Sequence, residues 1–114
     1  MTATTTREAS LDAAFDALAH PVRRAIIRRL ARGEATVIEL AEPFDLTHQA
    51  VSRHVGILRD RGLIHQRVDG QRRPCRLDIE RMQDVADWIL EQRREWESRL
   101  ARLDGLLAAM QEER

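Results

Sequence analysis

The stretch TVIELAEPFDLTHQAVSRHVGIL, residues 36–58, carries two helix-start signals with a proline between them. Thr36 and Glu39 have the spacing of a capping box, in which a hydroxyl and a carboxylate each accept a backbone amide of the first turn. Pro43 removes an amide from the ladder, so the helix that begins at Thr36 must end or distort close by. Asp45-Leu46 then forms a brief turn, and Thr47 caps a second helix. Leu46 before that cap and Val51 four residues after it are spaced as a hydrophobic staple. The spacing predicts a short helix, a tight turn and a longer helix, which is helix-turn-helix grammar. Val37, Leu40, Ala41 and Phe44 share one side of the first helix. Ala50, Val51, Val55 and Leu58 form the inner stripe of the second, and His54 beside them is expected at the core edge, hydrogen-bonded to backbone.

Upstream, Leu11, Ala14, Phe15 and Leu18 recur at helical spacing and place a first helix ahead of His20, preceded by a flexible tail over residues 1–9. Pro21 suits the first position of the next helix, where its missing amide would be unpaired anyway. Val22, Ile26, Ile27 and Leu30 give that helix a buried face, and Gly33 stops it. His20-Pro21 is therefore read as a structural joint.

Downstream of Gly62 the period changes to alternation. LIHQRV and RPCRLDI put Ile64, Val68, Cys75, Leu77 and Ile79 at every second position, and Asp69-Gly70 between them is a hairpin signal. Pro74 cannot donate to a ladder, so its strand is expected at an edge or distorted. A helix-turn-helix followed by a hairpin with Gln71, Arg72 and Arg73 at its tip predicts a winged helix. From Glu80 onward there is no proline and a single glycine, Gly105. Met82, Val85, Ile89, Trp96, Leu100, Leu103, Leu107 and Met110 recur in steps of three and four, interrupted by Gln92, so one helix is expected over about residues 80–112. Residues 10–114 are thus read as one domain, mainly α with a small β-hairpin, with Ile89, Trp96, Leu100 and Leu103 available for pairing with a second copy.

The formal net charge is zero, yet its distribution is uneven. Residues 20–79 hold twelve arginines and seven acids, while both flanking segments are acidic. Residues 47–76 alone hold seven arginines and two acids, so positive charge gathers at the helix starting at Thr47 and at the hairpin. Every basic residue is arginine, which a biased genome explains more simply than function does. On the second helix of the helix-turn-helix, His48, Gln49, Ser52 and Arg53 face outward. Glutamine pairs bidentately with adenine, arginine with guanine and serine with either. Thr47, His48, Gln49, Ser52 and Arg53 are therefore candidate contacts to a DNA operator, and Gln71, Arg72 and Arg73 to its phosphates.

No enzymatic constellation is legible: there is no nucleophile with a paired base and no glycine-rich phosphate loop. One cysteine excludes an internal disulfide framework, and no apolar run reaches membrane-span length. The polar opening MTATTTREAS is not a secretory signal, so a cytoplasmic location is expected. Histidines at 20, 48, 54 and 65 lack the spacing of a metal site, and no cofactor is expected.

The segments HPVRRAI, VIELAEPF and AVSRHVGILRDRGLI occur together and in order, and from about residue 10 the chain resembles the ArsR family of bacterial winged-helix repressors. The resemblance implies a homodimer formed by the first and last helices, in which Leu11, Phe15 and Leu18 join Ile89, Trp96, Leu100 and Leu103 at the interface, operator binding through the helix at 47–61 and the wing, and repression relieved by an effector, an unknown small molecule. The family's metal sensors keep a cysteine pair in the helix corresponding to residues 36–44, or aspartate and histidine ligands in the last helix. This chain has TVIELAEPF at the first position and no histidine in the last helix, so it resembles the branch without those sites. Two alternatives stay open: a thiol- or redox-responsive repressor using Cys75, and a dimeric protein-interaction module without DNA binding.

Overall fold

The computed structural model describes residues 3–113 and orders the elements as α1 (Ala3–Leu18), α2 (Pro21–Leu30), β1 (Ala35–Thr36), α3 (Val37–Ala41), α4 (His48–Asp60), β2 (Ile64–Gln66), β3 (Pro74–Leu77) and α5 (Ile79–Glu112). The chain divides between Gln83 and Asp84 into two compact units.

In the first unit, α1 begins at Ala3, inside the segment expected as a flexible tail. No proline or glycine interrupts residues 3–9, so the backbone carries the helical ladder back through them. Leu11, Ala14 and Ala17 are its buried row, with Leu18 half-buried; Phe15, expected on the same face, is 38% exposed. The last carbonyls of α1 have no partner inside their own helix, and α2 supplies them. Arg23 donates to Ala17 O at 2.6 Å and to Asp16 O at 3.0 Å, and Arg24 donates to Leu18 O at 2.7 Å. Positive guanidinium groups at a helix C-terminus also meet the negative end of its dipole. Pro21 occupies the first turn of α2, and His20 caps it by accepting the Val22 amide at Nδ1, 3.1 Å.

α3 opens on the expected capping box: the Glu39 amide donates to Thr36 Oγ1 at 3.2 Å, and the Thr36 amide donates to Glu39 Oε1 at 3.2 Å. The helix closes before Pro43. Thr47 caps α4 by accepting the Ala50 amide at 3.1 Å. The core of this unit combines Ile26 and Leu30 of α2 and Leu40 of α3 with Val51, Val55 and Leu58 of α4, joined by Leu63, Ile64 and Cys75. Burying aliphatic side chains of this size contributes about 1.5–3 kcal/mol each before chain entropy is set against it.

α4 stops in a Schellman motif. The Leu63 amide donates to Leu58 O and the Gly62 amide to Arg59 O, both at 3.0 Å, with Gly62 at φ 85°. That turn aims the chain into the sheet, where the observed topology departs from a simple hairpin. The sheet has three antiparallel strands in the order β1-β3-β2, with Ala35 opposite Cys75 and Ile64 opposite Leu77. Pro74 thus lies on the central strand and not at an edge. It is tolerated there as the strand's first residue, paired with Thr36, and its carbonyl accepts the Arg67 amide at 3.1 Å. The alternation predicted for the wing also ends early. Val68 is 72% exposed and Ile79 67% exposed, because β2 stops at Gln66 and α5 begins at Ile79. At the tip, Asp69 and Arg72 pair across Gly70 and Gln71, and Gly70 takes the positive φ, 63°, that a tight hairpin of this hand requires.

The second unit consists of the remainder of α5, which at 34 residues is about 50 Å long. From Ile89 to Glu113 every residue is exposed, including Ile89, Trp96, Leu100, Leu103, Leu107 and Met110. No helix among the described residues is long and apolar enough to cross a membrane.

Candidate nucleic-acid interface

The outer face of α4 is built by its cap and its core together. Thr47 fixes where the helix starts, and burial of Val51, Val55 and Leu58 fixes its rotation. His48, Gln49, Ser52 and Arg53, at positions i, i+1, i+4 and i+5, therefore share the opposite face, and all four are exposed. Among the described residues, no hydrogen bond or ion pair holds the side chains of His48, Gln49 or Ser52. The row is free to present donors and acceptors outward.

His54 departs from its expected role. It is half-buried, and its ring packs 4.5 Å from the ring of His20 while Arg23 Nη1 stands 3.5 Å from its Nδ1. Its partners are side chains, not backbone, because α2 lies against this turn of α4. Burial, then the neighbouring His20, Arg23 and Arg53, lowers its pKa below the ordinary histidine value. A neutral imidazole can accept from Arg23; a protonated one cannot.

The wing brings Gln71, Arg72 and Arg73 together at one exposed tip. Arg73 Nη1 folds back to donate to Arg72 O at 2.9 Å and Gly70 O at 3.1 Å, which stiffens the turn. Arg72 extends toward α3, with its Nη2 at 3.7 Å from Glu39 Oε1. At the base of the wing Arg67 pairs with Glu34. A cleft of about 370 Å³ lies between the tip and the start of α3, lined by Thr36, Val37, Ile38, Gln71, Arg72 and Arg73.

The positive excess read from the sequence is thereby reduced. Of the seven arginines between residues 47 and 76, Arg59, Arg61, Arg67 and Arg72 each face an acid: Asp60, Asp16, Glu34 and Glu39 respectively. Arg53, Arg73 and Arg76 have no acidic partner among the described residues, so the outer face of α4 and the wing keep unpaired positive charge. Glu34 and Glu39 lie more than 25 residues from the wing arginines they meet, and nothing local in the sequence marks the pairing.

The remaining candidate chemistry is spoken for. His65 Nε2 lies 2.7 Å from Asp78 Oδ2, and Asp78 Oδ1 accepts the Arg81 amide at the start of α5, 2.9 Å, which holds the Asp78 carboxyl below its ordinary range. Cys75 is fully buried and its Sγ donates to Arg73 O at 3.6 Å; burial pushes the thiol pKa up. Among the described residues no three His, Cys, Asp or Glu side chains gather as a metal-binding group.

Residues 18–67, from the end of α1 to just past β2, match a helix-turn-helix domain family. The chain is 44% identical over 69 residues to the HTH-type transcriptional regulator Rv2034 of Mycobacterium tuberculosis, a match covering 60% of this chain and 64% of that regulator, under two thirds of its length. It is 32% identical over 76 residues to the transcriptional repressor SdpR of Bacillus subtilis, covering 67% of this chain and 84% of the repressor. The crystal structure of the ArsR family transcriptional regulator RHA00566 superposes with a TM-score of 0.73 at 43% identity, covering 78% of this chain and 92% of that one. With a capped α3-turn-α4, a wing behind it and these relatives, the chain belongs to the ArsR family of winged helix-turn-helix transcriptional regulators.

Proposed function

We propose that the protein is a homodimeric repressor that binds an inverted-repeat DNA operator through α4 and the wing, without a metal cofactor. The observation that carries this reading is the capped α4 with Gln49, Ser52 and Arg53 exposed in its first two turns, the part of a recognition helix that meets base edges in the major groove. The wing tip supplies Arg73, with Arg72 and Gln71, for phosphate. Two copies would place their α4 helices in successive major grooves, so half-sites are expected about one helical turn, ~34 Å, apart. The histidines favour metal independence: His20 and His54 face each other, His65 faces Asp78, and His48 stands alone on the α4 surface. The thiol-responsive alternative is the weaker reading, since a buried thiol with a raised pKa is a poor nucleophile toward oxidants.

The test is a set of binding isotherms on a duplex enriched from a random pool by the wild-type protein, and on a scrambled duplex of equal length. Gln49→Ala and Arg53→Ala should each cost roughly 1–3 kcal/mol on the enriched duplex and shift preference at one base pair per half-site. An unchanged enriched-to-scrambled ratio in both variants would show that α4 is only a polar surface.

A further inference from the structure

The wing is not an independent antenna. Its base is tied to the segment leading into α3 by Arg67–Glu34, its central strand pairs with β1, and its tip is tied to α3 by Arg72–Glu39. Glu39 is the unusual member of this set. Its Oε1 accepts the Thr36 amide at 3.2 Å and the Thr36 hydroxyl at 3.0 Å, and the same oxygen faces Arg72 Nη2 at 3.7 Å. Its Oε2 lies 4.0 Å from Arg29 Nη2. The capping box holds the carboxylate in one place, so an anion of fixed position stands beside the wing arginine that is 66% exposed. Any DNA phosphate approaching Arg72 meets a competitor already in position, and one that also repels it.

We infer that Glu39 is a specificity-determining residue: it withholds Arg72 from phosphates of arbitrary sequence, so that the wing contact forms only where α4 is seated on its own site. This inference rests on the proposed DNA-binding reading. The physical basis is that phosphate contacts carry affinity without sequence information, whereas base contacts carry the sequence. A built-in competitor for a phosphate contact therefore lowers non-specific binding more than specific binding, because the base contacts of a seated α4 hold the wing tip close to the backbone long enough to exchange partners.

Glu39→Gln isolates this effect, since glutamine also completes a capping box but carries no charge to hold Arg72. Binding of wild type, Glu39→Gln, Arg72→Ala and the double variant is measured on a random-sequence duplex and on the enriched duplex at several salt concentrations, with a thermal melt of each protein. Glu39→Gln should bind the random duplex roughly 5–10-fold more tightly near 0.1 M salt, with a salt slope steeper by about 0.9 per subunit, the value of one added phosphate contact. The gain on the enriched duplex should be smaller, so the enriched-to-random ratio falls. In the Arg72→Ala background the Glu39→Gln gain should vanish; a gain that persists there would come from the general field of the removed charge and would overturn the inference. An unchanged salt slope in Glu39→Gln, with wild type still preferring the enriched duplex, would also overturn it and leave the DNA-binding reading intact. Failure of wild type to bind any duplex would overturn both.

Discussion

At the scale of single residues, His54 shows how a position changes meaning once its neighbours are known. In the sequence it reads as an edge histidine with a backbone partner; in the structure it is wedged between His20 and Arg23, with Arg53 beside it in α4. Because the folded protein lowers its pKa, the unfolded chain binds more protons as the pH falls through the ordinary histidine range, and stability drops with it. Above about pH 6.5, the ordinary value, both states are neutral and the penalty is absent. Thermal midpoints should therefore fall between pH 7 and pH 5, and His54→Gln should flatten that dependence. Asp78 does not confuse the measurement: its lowered pKa withdraws stability only at more acid pH, below the ordinary aspartate value. An equal slope in the His54 variant would assign the titration elsewhere. Thr36, Thr47 and Pro21 are legible in the sequence because helix-start signals are local, whereas the capping role of His20, read there only as a joint, appears in the structure. The partners of His54, Arg23 and Arg72 are not legible in the sequence, because each lies on a different element and the pairing exists only after the elements pack.

At the scale of elements, the order of the helices follows the periodicity, and so do the lengths of those after α1; the start of α1 and the sheet do not. β1 has only two residues, Ala35 and Thr36, too few to show alternation, and the second also serves as the cap of α3. It cannot be read from sequence, and without it the strand of Pro74 reads as an edge or as distorted. Val68 and Ile79 belonged to the right pattern on the wrong span, since alternation does not reveal where pairing stops. The turn from α4 into β2 is the junction on which wing placement depends. Gly62 sits there at φ 85°, and a Cβ would come to 3.4 Å from Arg81 Cζ, whose guanidinium donates to Ser10 O and Arg61 O. Gly62→Ala should lower unfolding stability by about 1–2 kcal/mol through the left-handed backbone alone. Chemical denaturation would measure it, and a loss under a few tenths of a kcal/mol would show that the turn relaxes. Gly105, inside α5 with nothing near its would-be Cβ, offers the contrast: Gly105→Ala should stabilise the helix by up to about 1 kcal/mol.

For the molecule as a whole, the zero net charge conceals a functional separation. Of the seven arginines between residues 47 and 76, four are matched by acids, and the unmatched Arg53, Arg73 and Arg76 lie on α4 and the wing. The proposed pairing of two copies is tested at the same scale. Trp96 is 62% exposed and Leu100 42% exposed, midway along the apolar row of α5. Replacing both with aspartate should cost association on the order of 5 kcal/mol if a second copy covers them, because two charges would then be buried without partners. Sedimentation at micromolar concentration would read this as a monomer, and a double variant that stays dimeric would move the interface off this row. If two copies pair through this helix as proposed, it also bears on how much protein a cell must make. An active species assembled from two chains grows as the square of chain concentration until pairing saturates, so below that point a doubling of synthesis gives four times the repressor. The exposed row of α5 would thus make control of the target gene a threshold in the regulator's own abundance, with the threshold set by how many apolar side chains that row presents.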